Sequence, residues 1–269
     1  PLASVIPQVY RRAMLNAIPH GAPTAEPPLL IVHGLFGSAR NWSVIAKRLS
    51  DVRQVITVDM RNHGQSPWAP SQSYEEMAGD LAEVLEDIGP ADVLGHSMGG
   101  KASMVLALTR PELVTRLIVA DIAPVRYNHS QSDKIAAMRA VDLDAVERRS
   151  DADAQLAQHL DDPALCSFFT QSLDLKEKRW RLNLDVLDAE MDKIIGFPEM
   201  TGQFTKPTLF LTGGNSDYVG RDDRDTITAL FPRARFVGIP GAGHWVHADK
   251  PKEFVAAVSQ WLALSDTPR

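Results

Sequence analysis

Cysteine is almost missing from this chain of 269 residues. Its single copy, Cys166, has no partner for an intramolecular disulfide, so a reducing compartment, the cytoplasm, is expected. Long apolar runs are missing too: none approaches the ~18 residues of a membrane span. Nor is there a basic excess. Lys+Arg number 28 against 34 Asp+Glu, a formal net charge of −6. That balance argues against nucleic acid as the main partner, because phosphate binding needs a basic stripe. There is no internal repeat, no low-complexity segment, and no apolar core of a secretory signal in residues 1–18. Hydrophobic residues at 44% and charged residues at 23% are ordinary for a globular protein. At ~150 residues per domain the length suits one to two domains. A core of that size needs no metal or disulfide staple.

Short apolar runs alternate with longer amphipathic stretches, which predicts an α/β fold with a mostly parallel central sheet flanked by helices. Strands are expected at Leu29–Val32, Val55–Val58, Val93–Leu94, Leu117–Ala120, Leu209–Leu211 and Phe236–Ile239. They are uniformly apolar, as strands covered on both faces are. Helices are expected at Trp42–Leu49, Tyr74–Ile88, Met98–Thr109, Asp222–Phe231 and Lys252–Leu264. Pro90, Pro111 and Pro232 stand where three of them should stop. Ala13–Ile18 reads as an antiparallel edge strand. Residues 125–206 break the rhythm: no strand stands out, and helical spacing runs over Ala152–Leu160 and Leu175–Asp192. The economical reading is a helical cap inserted into a core made of residues 1–124 and 207–269.

Gly95-His96-Ser97-Met98-Gly99 fits G-x-S-x-G between an apolar strand and a helix. Such a turn lifts a serine hydroxyl above the sheet edge, near a helix N-terminus that favours developing negative charge. A serine needs a base to become a nucleophile. Of eight histidines, His244 has the best placement, in the loop between the strand Phe236–Ile239 and the last helix. His247, three residues on, is the weaker candidate. In a doubly wound sheet that loop opens at the carboxyl edge, where Ser97 also emerges. His33-Gly34-Leu35-Phe36-Gly37-Ser38 follows the strand Leu29–Val32. The amide of Leu35 or Phe36, with that of Met98, would form an oxyanion hole.

Together these segments resemble the α/β-hydrolases, and more narrowly the bacterial YbfF-type esterases and their mitochondrial abhydrolase-domain relatives. The residues carrying the resemblance also include Val58–Gly64, Gly100-Lys101, Asp121-Ile122-Ala123-Pro124-Val125, Gly213-Gly214-Asn215-Ser216 and Val246-His247-Ala248. The resemblance implies a serine-dependent ester or thioester hydrolase with a helical cap and without metal or organic cofactor. Most α/β-hydrolases carry the triad acid after the strand that here is Leu209–Leu211, at the position filled by Ser216. Asp217 lies one place later. Asp121, which follows Leu117–Ala120, occupies the alternative strand end used by some members, and the Asp-Ile-Ala-Pro segment points the same way. Asp121 is therefore favoured over Asp217, with Ser216 as a supporting hydrogen-bond partner.

The expected reaction is acyl transfer to water from a small-molecule ester or thioester with a short to medium acyl group. The apolar cap residues Leu165, Phe168, Phe169, Trp180 and Leu184 would line an acyl pocket or form the cap's own core. Haloalkane dehalogenase and epoxide hydrolase chemistry is disfavoured, since both need an aspartate where Ser97 stands. Carbon–carbon bond hydrolysis, perhydrolysis and a ligand receptor without turnover stay open. The oligomeric state is not readable from the sequence.

Overall fold

The computed structural model describes residues 15–264. The strands are β1 (Ala17–His20), β2 (Leu29–Val32), β3 (Val55–Val58), β4 (Ala91–His96), β5 (Val114–Ala120), β6 (Leu173–Asp174), β7 (Arg179–Trp180), β8 (Thr208–Gly213) and β9 (Ala234–Ile239). Seven of them form one sheet in the order β1-β3-β2-β4-β5-β8-β9. β1 alone runs antiparallel, pairing with β3, and the other pairings are parallel. The helices are α1 (Ser43–Leu49), α2 (Tyr74–Ile88), α3 (Met98–Thr109), α4 (Ser132–Arg139), α5 (Arg149–Leu156), α6 (Pro163–Thr170), α7 (Leu184–Ala189), α8 (Met191–Ile195), α9 (Asp223–Leu230), α10 (Val246–Asp249) and α11 (Pro251–Ala263).

β2, β3 and β4 are buried at every residue because helices cover both faces. On one face Met77, Leu81 and Leu85 of α2 and Val105 of α3 join the core; on the other, Ile45 and Leu49 of α1 meet Phe254, Val258 and Trp261 of α11. α2 starts on a capping box in which the Ser73 hydroxyl accepts from the Glu76 amide and the Glu76 carboxylate accepts from the Ser73 amide. It stops one residue before Gly89, which takes a φ of 92°.

Three expectations change. β9 is an edge strand with a half-buried pattern, and Val237 is 41% exposed, so apolar uniformity there does not mean cover on both faces. The first strand sits at Ala17–His20 and includes His20; Ala13 and Met14 lie outside the described residues. Helical spacing over Leu175–Asp192 is interrupted by a hairpin, β6 against β7. There the Asp174 carboxylate accepts from the Lys176 and Glu177 amides, and Lys178 turns the chain with a φ of 50°. A short acidic side chain has captured amides that a helix would have used.

Candidate active site

β4 ends directly at the serine. Ser97 takes φ 52° and ψ −121°, a conformation that strains any side-chain-bearing residue. The turn holds because its glycines allow very close approach. A Cβ on Gly99 would lie 2.4 Å from the His33 carbonyl oxygen, and one on Gly95 would lie 2.3 Å from the Gly99 carbonyl oxygen. α3 thereby starts against β2 and β4, with the Ser97 hydroxyl at its N-terminus.

Asp121 follows β5, the neighbour of β4, with a φ of 54° and no exposed surface. Its backbone amide donates to the Leu211 carbonyl at 2.9 Å. Its carboxylate accepts from the Gly213 amide at 2.9 Å through Oδ1, and from the Ser216 hydroxyl at 2.5 Å through Oδ2. His244 completes the set: its Nδ1 lies 2.8 Å from Asp121 Oδ2, and its Nε2 lies 3.0 Å from Ser97 Oγ. The His244 loop is pinned on both sides. His96 Nε2 donates to the His244 carbonyl at 2.9 Å, and the Asn215 amide donates to the Ala242 carbonyl at 2.8 Å.

Ser97, His244, Asp121 and Ser216 thus form one hydrogen-bonded chain. Asp217 stands outside it, exposed to solvent. His247 does not reach Ser97 by a hydrogen bond; it is buried, stacked on Trp42 with centroids 3.9 Å apart. Burial, with His244 nearby, pushes the His247 imidazole down to about 3.

The two alternatives for the first oxyanion donor are separated by a hydrogen bond. The Phe36 amide donates to His63 Nε2 at 3.2 Å, whereas the Leu35 and Met98 amides find no acceptor among the described residues. The Gly34–Leu35 peptide is held from its other side. Its Gly34 oxygen accepts from His33 Nδ1 at 2.7 Å and from the Gly37 amide at 3.0 Å. In a trans peptide the N–H points opposite the C=O, so fixing that oxygen also aims the Leu35 N–H. His33 Nε2 in turn accepts from the Met60 amide at 2.9 Å, and His63 Nδ1 donates to the Arg61 carbonyl at 2.8 Å. The two histidines brace the two loops reciprocally. Both must be neutral to accept these amides; burial lowers His33 and takes His63 down to about 3.

A cavity of about 550 Å³ opens beside Ser97 and His244. Leu165, Phe168 and Phe169 line it, together with Phe36 and Trp245. Trp180 and Leu184 do not; both are buried, and Trp180 donates its ring N–H to the Met138 carbonyl at 3.0 Å.

Sequence reasoning missed four participants. His33 and His63 each precede a glycine in a turn, a repeated signal that was open to reading. Lys101, an isolated charge in an apolar helix, is 1% exposed and donates to the carbonyls of Val125, Ile195 and Gly196, at 2.7, 3.0 and 2.5 Å. Burial, with Arg126 nearby, brings it down to about 7. Tyr218, which stacks on His244, carried no signal.

Comparison with known proteins agrees with this fold. Residues 27–251 match the protein family described as the alpha/beta hydrolase fold. The mouse protein named sn-1-specific diacylglycerol lipase ABHD11 is 44% identical over 249 residues, covering 88% of this chain and 81% of the relative. Esterase YbfF of Escherichia coli K12 is 41% identical over 238 residues, covering 87% and 92%. Among solved structures, a marine microorganism esterase superposes with a TM-score of 0.87 at 37% identity, covering 93% of this chain and all of the other.

Proposed function

The chain belongs to the α/β-hydrolase family, and on that premise we propose that it hydrolyses carboxylic esters through an acyl-enzyme on Ser97. Ser97 Oγ attacks the substrate carbonyl while His244 Nε2 takes its proton. Asp121 accepts the Nδ1–H, fixing the tautomer, and stabilises the imidazolium. The Leu35 and Met98 amides bind the tetrahedral oxyanion. As the intermediate collapses, His244 returns the proton to the leaving alcohol or thiol. A water molecule then attacks the acyl-enzyme with His244 as base, and the acid leaves with Ser97 restored. The observation carrying this reading is the unbroken hydrogen-bond chain Asp121–His244–Ser97.

The substrate is a small ester or thioester. Relatives named esterase and lipase support ester hydrolysis, and the apolar walls from Leu165, Phe168 and Phe169 suit a short to medium acyl group. Residues 125–206 act as a cap over a core of residues 1–124 and 207–269. The single, buried Cys166 fits a reducing compartment such as the cytoplasm. No helix among the described residues is long and apolar enough to cross a membrane.

The test is a panel of p-nitrophenyl esters and acyl-CoA thioesters, combined with mass spectrometry after fluorophosphonate treatment. Turnover with the label on Ser97, both lost in Ser97→Ala, is the expected result. A label on Ser38 or Ser216 would overturn the assignment, and ligand-dependent stabilisation without product would favour a receptor.

A further inference from the structure

Two hydrogen bonds hold the His244 ring, one at each nitrogen, and an imidazole's N–H and nitrogen lone pair both lie in the plane of the ring. Such a pair leaves the imidazole free to tilt about the line joining its nitrogens. A face-on neighbour removes that freedom, and Tyr218 supplies it. Its ring lies 3.8 Å from the His244 ring, centroid to centroid, with the planes 18° apart.

The phenol ring is itself held. Its hydroxyl lies 2.9 Å from His129 Nε2. The Tyr218 carbonyl accepts from the Tyr127 hydroxyl at 2.6 Å, and the Tyr127 hydroxyl oxygen in turn accepts from the Ala123 amide at 2.9 Å. Ala123 stands two residues past Asp121, so the stacking platform is tied to the segment that carries the acid. Burial raises the Tyr218 phenol above its ordinary value, with the Asp217 and Asp121 carboxylates adding to the effect, so the ring stays neutral.

His244 gains a proton when Ser97 is activated, and a cation is attracted to the face of an aromatic ring. The other groups around it do not duplicate this. Asp121 at the end of β5 meets the ring edge, at Nδ1. His96 at the end of β4 has its centroid 4.9 Å away and tilted by 41°, and Trp245 lies 6.0 Å away and tilted by 59°. His247 of α10 is held neutral by burial.

We propose that Tyr218 is a positioning residue for ester hydrolysis: its π face keeps His244 in plane with Asp121 and Ser97 and stabilises the imidazolium formed in each half of the cycle. The proposal rests on the acyl-enzyme reading above.

The experiment compares Tyr218→Leu, Tyr218→Phe and the chain carrying pentafluorophenylalanine at position 218. It measures kcat and KM on p-nitrophenyl butyrate and the second-order rate of fluorophosphonate labelling of Ser97. Tyr218→Leu is expected to lower kcat and labelling together, between about threefold and thirtyfold, with KM unchanged. Tyr218→Phe keeps the ring face and should restore most of that loss. Pentafluorophenylalanine keeps the ring's shape but reverses the charge of its face, and should behave like leucine. Equal activity of the fluorinated and ordinary phenylalanine chains would overturn the proposal, even if the leucine variant folded poorly. So would a loss confined to KM, or a Phe variant as slow as Leu. A wild-type chain that takes no label on Ser97 overturns the acyl-enzyme reading itself; normal labelling of wild type and variants alike overturns the stack alone.

Discussion

Replacing Asp121 by asparagine changes one oxygen to an amide nitrogen, and the surroundings decide which one. The Gly213 N–H points at Oδ1 from 2.9 Å. An amide NH₂ there would set donor against donor, so the asparagine oxygen must take that place. The NH₂ then takes the place of Oδ2, where Ser216 donates at 2.5 Å and His244 Nδ1 sits at 2.8 Å. Ser216 adapts by rotating its hydroxyl to accept. His244 adapts only by giving up its Nδ1 proton and carrying it on Nε2, where it faces Ser97 and cannot act as base. The same wrong tautomer lowers kcat by ~10⁴ in a serine protease, equivalent to about 5.5 kcal/mol of transition-state stabilisation. Asp121→Asn is therefore expected to lose roughly 10³–10⁴ in kcat, with KM and the thermal midpoint close to wild type. Initial rates on p-nitrophenyl butyrate and a melting curve measure both. Asp217 is exposed and accepts no hydrogen bond among the described residues, so Asp217→Asn should stay within about twofold of wild type. Activity within about tenfold of wild type in Asp121→Asn, or a larger loss in Asp217→Asn, would refute the reasoning.

Ser97→Ala and Ser97→Gly should both be inactive, but the glycine variant should be more stable by ~1 kcal/mol in urea unfolding, because only glycine takes φ 52° without strain; equal stabilities would deny the strain. His63 and His247 sit at about 3 in the folded protein against an ordinary 6.5. The unfolded chain therefore takes up protons first, and stability present above pH ~6.5 drains away as pH falls towards ~3, by about 1.4 kcal/mol per pH unit for each histidine. His247→Leu should flatten that slope by one such increment between pH ~6 and ~4, and parallel slopes in urea unfolding would contradict it. Phe168→Ala opens the cavity wall and should raise kcat/KM for longer acyl esters relative to butyrate; an unchanged chain-length profile would remove Phe168 from the acyl pocket.

The residues that proved legible in sequence are those whose neighbours along the chain determine their surroundings. Leu29–Val32 and Val55–Val58 are strands because they lie deep enough for both faces to be covered, and α2 and α3 end where Gly89 and Pro111 stop them. Ser97 and His244 are signalled by the glycines that their turns require. β9 misled because edge position is set by sheet order, which apolar composition does not encode. The hairpin β6–β7 misled because one carboxylate, Asp174, outcompetes helical spacing. Tyr218 and the Ser172 hydroxyl, which donates to the Phe36 carbonyl at 3.2 Å across 136 residues, depend on contacts between distant segments. Such contacts leave no local pattern to read.

The acid's seat on β5 changes how the chain can be elaborated. The proposed nucleophile, Ser97, and the proposed acid, Asp121, leave adjacent strands of a single strand–helix–strand unit, closed before the chain enters the segment between β5 and β8. Histidine and acid are 123 residues apart, with that whole segment between them. Loop-closure entropy grows only with the logarithm of length, about 0.6 kcal/mol per doubling. Lengthening, shortening or replacing the segment alters only that second, cheaply extended closure. The Ser97–Asp121 spacing is insulated from whatever is grafted between them and the histidine, so that segment can diversify while two of the three hydrogen-bonded side chains keep their register.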